Sequence, residues 1–311
     1  MLDKILKLGP ELESLDLGPE QFNQKCYDLL SDLSIDKDIR SFSEDLSRWL
    51  LDNDIPRQLN VYNDFGQPPV TLFNNETFVV DLYFWMEADT SLHSHAFNGA
   101  FKVLFGKSLH ENFKVEKEIE YCSDVLQNKL SRVSTEILSP GDCKVIPSGT
   151  SFNHRVVHLS SPTVTLCIRT ITDVDIPQWH YFDNGLSILK QEIEQSVYKK
   201  VFYADYLFTI DPNSAESFLS DFVATIAVSK LINLYEQLTV DTMGLSESSQ
   251  ELLYNIMMDR FNNESWYSTY EEACEQVPNE DIGYDERSRL ISHIEYHQYS
   301  QEEKEKLISL I

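Results

Sequence analysis

The chain has 311 residues, 42% of them hydrophobic, with 17 Phe, 15 Tyr and 4 Trp: material for a large core, and against a disordered chain. Its 51 acidic and 25 basic residues give a net charge of −26, which repels phosphate backbones and argues against nucleic acid as a partner. The five cysteines, at 26, 122, 143, 167 and 274, include no CxxC pair, and neither a signal-peptide core nor a membrane-length apolar run is visible, so a cytoplasmic chain that does not engage a membrane is expected.

Residues 1–55 read as a helical region. PEQFNQKCYDLLSDLS places Phe22, Cys26, Leu29 and Leu30 at helical spacing. SFSEDLSRWLLDN does the same with Phe42, Leu46, Trp49 and Leu50, and Ser41 or Ser43 is the expected cap of its first turn. Ile55-Pro56-Arg57 breaks the pattern.

Residues 56–185 change character. ETFVVDLYFWMEAD is dense in β-branched and aromatic residues. NFKVEKEIEYC sets Phe113, Val115, Ile119 and Tyr121 against Lys114, Glu116, Glu118 and Glu120, a half-buried antiparallel strand. CKVIPSG, FNHRVVHL and TVTLCIRTI are further strands, separated by FGQPP, SPGD, PSGT and SSP. Short strands with regular turns predict a sandwich or small barrel, hence a β-rich α+β fold with helical flanks. Residues 186–311 return to helix. NSAESFLSDFVATIAVSKLINLYEQL has a helical period, with Asn213 as the expected N-cap and Glu216 three residues on. This region is a cap on the barrel or an interaction domain for a protein partner.

The histidines carry the chemistry. His93 and His95, at i and i+2, project from one face of a strand with Cβ atoms roughly 7 Å apart, given a rise of about 3.3 Å per residue. Two imidazoles so placed can converge on one ion, with a third ligand from another strand. His154 is the candidate, because the Pro147–Gly149 turn returns the chain beside the first strand.

The spacing His93, His95, Gly99, Gly106 and then Gly141, Pro147, Gly149, His154 resembles the two motifs of the cupin superfamily. Gly99 stands where the family's glutamate ligand falls, and His154 follows its turn by two more residues than usual. His158 holds the family's trailing Asn position. The resemblance implies an antiparallel β-barrel with a metal inside. With the glutamate lost, His93, His95 and His154 resemble the three-histidine, thiol-dioxygenase branch, which implies Fe2+ (Zn2+, Ni2+ and Mn2+ being alternatives), O2 and a small anionic substrate. His154-Arg155-Val156 is similar to that branch's His-Arg-Val run. Its cross-linked Cys and Tyr and its Ser-His-Tyr relay have no counterpart, with Cys167 standing about where the relay histidine falls; the likeness to cysteine dioxygenases extends to the iron and not to the substrate.

Around this set, Thr165, Cys167 and Arg169 share one face of a late strand, and Val164, Leu166 and Ile168 the other. If the first face points inward, Arg169 is placed to hold a substrate carboxylate; otherwise it pairs with the acidic exterior. Arg57 roughly matches where thiol dioxygenases place a carboxylate-binding arginine. His110 and His158 are expected either to orient a ligand imidazole or act in proton transfer, or simply to be hydrogen-bonded on their strands. His293 and His297 lack the HExxH glutamate and read as surface residues. The competing reading is a non-enzymatic cupin whose helical flanks bind a partner.

Overall fold

The computed structural model describes residues 1–15, 17–35, 38–59, 69–86, 90–171, 173, 175–191, 194–239, 244–275, 285–297 and 299–311. Glu87 and most of the FGQPP turn lie outside them. Three helices come first: α1 (Leu2–Glu13), α2 (Pro19–Asp32) and α3 (Ile39–Asp52). Eleven described strands follow: β1 (Val70–Asn74), β2 (Phe78–Trp85), β3 (Thr90–His95), β4 (Gly99–Phe105), β5 (Ser108–Cys122), β6 (Val125–Leu138), β7 (Cys143–Ile146), β8 (Gly149–His158), β9 (Thr163–Thr170), β10 (Trp179–Tyr181) and β11 (Leu186–Leu189). Helices α4 (Gln195–Ile210), α5 (Pro212–Thr225), α6 (Val228–Thr239), α7 (Glu247–Asn262), α8 (Tyr267–Glu275), α9 (Glu286–Tyr296) and α10 (Gln301–Ile308) complete the chain. Among the described residues, no helix is long and apolar enough to cross a membrane.

One sheet has the antiparallel order β1-β2-β9-β4-β7, and six strands close into a barrel in the order β10-β11-β6-β5-β8-β3. The fold is therefore the expected α+β: an antiparallel barrel with helices before and after it. Strand β2 is apolar along most of its length because both its faces are covered. Phe78, Val80 and Leu82 join Ala100, Leu104, Val164, Leu166 and Ile168 in one core with Ile5, Phe22, Cys26, Leu30 and Phe42 of the leading helices. Lys102 is buried on that same side, and its ammonium donates to the carbonyls of Leu30 (2.6 Å) and Leu33 (2.8 Å) at the end of α2, where a cation is favoured.

The chain forms two compact units. One comprises the described residues of 1–115, 131–178 and 278–311; the other comprises those of 116–130 and 179–277. The boundaries at 56 and 186 suggested by composition do not coincide with them, because β5 and β6 each have residues in both units and α9 and α10 belong with the first. The second unit has its own core, in which Val125, Leu186 and Ile188 meet Val201, Leu219, Leu231, Met257, Phe261 and Trp266. Phe182 packs edge-on to Tyr270 there, at 5.7 Å.

Local expectations change at three places. The cap of α3 is Asp38, whose carboxylate accepts from the Arg40 amide at 3.0 Å; Ser43 instead donates back to the Ile39 carbonyl. The cap of α5 is Asp211 and not Asn213, with Pro212 at the first helical position, where a missing N–H costs nothing. His293 is a half-buried anchor and not a surface residue: its Nε2 lies 3.0 Å from Glu111. Glu111, fully buried, also accepts from Arg155 Nε (2.8 Å), Tyr299 (2.5 Å) and Arg132 (3.3 Å). His297 is half-buried beside this cluster, its ring 4.2 Å from that of His293. Burial alone would raise the Glu111 pKa, but His293, Arg155 and Tyr299 hold it well below the usual carboxylate range.

Candidate metal centre

Strands β3 and β8 pair antiparallel, with His93 directly opposite His154 and His95 opposite Gly149. Gly149, at φ +81°, is the left-handed residue with which the Pro-Ser-Gly turn delivers β8 beside β3. The structure thus brings His93, His95 and His154 together, all buried, with one potential ligand atom of each within 4.8 Å of the others.

Hydrogen bonds fix which nitrogens face one another. His93 Nδ1 donates to the Ser91 carbonyl at 2.7 Å, leaving a lone pair on Nε2, which stands 3.1 Å from His95 Nε2. Two nitrogens each about 2.0–2.1 Å from one ion stand about 2.9–3.4 Å apart between right-angle and tetrahedral geometry, so this spacing fits a shared metal. His95 Nδ1 has no hydrogen-bond partner among the described residues. His154 Nδ1 lies 2.9 Å from His110 Nε2, and His110 Nδ1 lies 3.0 Å from Glu136 Oε1. A carboxylate only accepts, so His110 donates to Glu136; a neutral His110 ring then accepts from His154 Nδ1, which leaves the His154 lone pair on Nε2. Lys144 Nζ reaches both Glu136 oxygens, at 2.7 and 2.8 Å. Burial, then the charges of their neighbours, holds the pKa values of His95 and His154 well below that of free histidine. Both are neutral imidazoles, the form that binds metal.

The remaining candidates divide. Arg169 points inward with Thr165 and Cys167, is buried, and stands 5.2 Å from the Phe97 ring. Its guanidinium pairs with Asp81 Oδ2 at 3.1 Å, and Asp81 Oδ1 accepts from Thr71 at 2.7 Å, so the arginine has an internal counter-charge. His110 directly orients a member of the cluster. His158 is not brought to it: four residues along β8, about 13 Å at strand rise, it stacks on Trp85 at 4.3 Å with Ser108 Oγ 3.0 Å from its Nδ1. Arg57 stands exposed before β1, its carbonyl accepting from Asn74, and is not gathered with the histidines either. Phe97 and Phe152, both half-buried, flank the set, with ring centroids 4.9 Å from His95 and 4.6 Å from His154 respectively.

Gly99 explains the missing carboxylate. A Cβ there would stand 2.1 Å from the Ile168 carbonyl oxygen and 2.9 Å from the Arg169 Cα, so β4 and β9 leave no room for a side chain. Glu136 and Asp81 do not stand out in the sequence as site residues. Neither has a local motif, and each finds its partner across strands far apart in sequence, as with the 26 residues between His110 and Glu136.

No protein-family model matches the chain, and no curated protein does. Among solved structures it is similar to DMSP lyase DddQ from Ruegeria pomeroyi DSS-3 (12% identity, 53% of this chain and 79% of that one, TM-score 0.30). It is also similar to hydroquinone 1,2-dioxygenase from Sphingomonas sp. TTNP3 (13% identity, 46% and 82%, TM-score 0.28). An RmlC-like cupin from Shewanella frigidimarina NCIMB 400 matches at 12% identity over 38% and 92%, TM-score 0.25. Likenesses this loose leave the function to the chemistry of the site: a buried three-histidine group, inside an antiparallel barrel, that could hold a metal ion.

Proposed function

We propose that this chain is a metal-dependent cupin oxygenase, a mononuclear non-haem iron dioxygenase acting on a small anionic, thiol-containing or other, substrate. The observation that carries the reading is the convergence of three buried imidazoles from β3 and β8, with His93 and His95 Nε2 3.1 Å apart. His93, His95 and His154 would hold Fe2+, which when bound supplies the activation of O2. Three neutral ligands leave the ion its full charge, which favours an anionic substrate. Phe97 and Phe152 limit water at the histidines, and the Arg169–Asp81 pair sets a fixed dipole beside Phe97.

The test is oxygen uptake by Fe2+-loaded protein with a panel of small carboxylates, with and without a thiol. Uptake that needs both iron and substrate, and is lost in His95→Ala, is expected. Uptake no faster than free iron with every substrate overturns the oxygenase reading.

A second reading, a non-enzymatic cupin that docks a protein partner, is favoured by one observation. Helix α4 exposes Phe202, Tyr203, Tyr206 and Ile210. A metal-loaded protein inert to O2 that captures a defined partner through α4 would support it instead.

A further inference from the structure

We infer that Glu136, acting through His110, is the site's outer carboxylate. It supplies to His154 the negative charge that no side chain at position 99 can bring to the metal. This deepens the metal reading above and rests on it.

The three candidate ligands are supported unequally. His93 leans on a neutral carbonyl, that of Ser91. His95 Nδ1 has no hydrogen-bond partner among the described residues. His154 is joined by hydrogen bonds to a charge, through His110 Nε2 at 2.9 Å and on to Glu136 at 3.0 Å. Every donor in that chain points towards the carboxylate, so both imidazoles have a defined tautomer and the His154 Nε2 lone pair gains electron density. Lys144 grips both carboxylate oxygens and fixes their direction towards His110. Strand pairing holds the geometry: on β5 and β8, His110 stands opposite Val156 and Asn112 opposite His154, which places the two rings diagonally on one face. The direct ligand route is closed, since backbone of β9 occupies the space beside Gly99. Glu136 and His110 are therefore positioning residues whose effect reaches the metal through His154.

Cobalt is the probe. Co2+ affinity, by competition with a chelator, and the Co2+ visible spectrum are measured for wild type, Glu136→Gln, Glu136→Asp and His110→Gln. Glu136 is partly exposed, so Glu136→Gln is expected to keep the melting temperature of the metal-free protein. Its Co2+ affinity is expected to fall about 10-fold with a shifted spectrum, that of His110→Gln about 10–100-fold, and Glu136→Asp to recover part of the loss. A purely structural role would leave the Co2+ spectrum of Glu136→Gln unchanged. Wild-type protein that takes up no Co2+ overturns the metal reading and this inference with it. Wild type that binds, with Glu136→Gln matching it within twofold and showing the same spectrum, overturns the outer-carboxylate role alone.

Discussion

Replacing one hydrogen by a methyl at position 99 would drive carbon to 2.1 Å from the Ile168 carbonyl oxygen, so β4 and β9 would have to part. Gly99→Ala is expected to cost about 1–3 kcal/mol in urea unfolding, the range of overpacked cores. Gly99→Glu, the substitution that restores the motif on paper, is expected to cost more and to gain no metal affinity. The sequence alone makes the absent glutamate visible but not its cause, because the obstruction is backbone from a strand some 70 residues later. The three-histidine group is more legible. His93 and His95 lie two apart on one strand, and a turn marked by Pro and Gly leads to His154, so three local patterns suffice. Arg169 illustrates the limit: alternation along β9 gives its face, but its partner Asp81 sits on β2 and looks in sequence like an interruption of an apolar run.

At the level of elements, β5 and β8 carry the candidate site on one face and anchorage on the other. His110 and His154 face the barrel interior, while Glu111 pairs with Arg155 on the outside, against α9 and α10. Glu111→Ala leaves Arg155 buried without its carboxylate and is expected to cost about 3–5 kcal/mol in urea unfolding, whereas Tyr299→Phe costs about 1 kcal/mol. Equal, small effects of the two would remove Glu111 as the anchor. This cluster was not legible in sequence, since Glu111 and His293 are 182 residues apart and each looks polar in an ordinary surface pattern. Helix starts are legible in kind but misplaced by a few residues: Asp38 and Asp211 act as caps where Ser41 or Ser43 and Asn213 are expected, because a carboxylate gains both the hydrogen bond and the helix dipole.

For the molecule as a whole, short strands and regular turns point to a sandwich or small barrel between helical flanks, the motif resemblance implies the barrel, and the antiparallel strands follow from alternation and turn residues. The division into two units was not readable, because the long strands β5 and β6 pass through both and no composition shift marks the change. The buried titratable groups set a whole-molecule response to acid. Burial first, then neighbouring cations, pushes His158 down to about 3 and His297 to about 2 from 6.5. Their folded pKa values lie below the unfolded one, so the unfolded chain takes up the proton first and stability is lost as pH falls below about 6.5. Glu111, whose pKa is also depressed in the folded state, adds to the loss once pH passes below its ordinary value of 4.5. Urea titrations between pH 7.5 and 4 are expected to show this decline, each such histidine adding up to about 1.4 kcal/mol per pH unit, and His158→Gln to flatten it. Stability independent of pH between 6.5 and 4 would contradict it.

Whether His93, His95 and His154 form one metal site is decided by metal analysis of protein purified anaerobically in the presence of Fe2+. One ion per chain is predicted for the wild type, with occupancy lost in His93→Ala and in His154→Ala while both variants stay folded. Full occupancy retained in both variants would contradict the account.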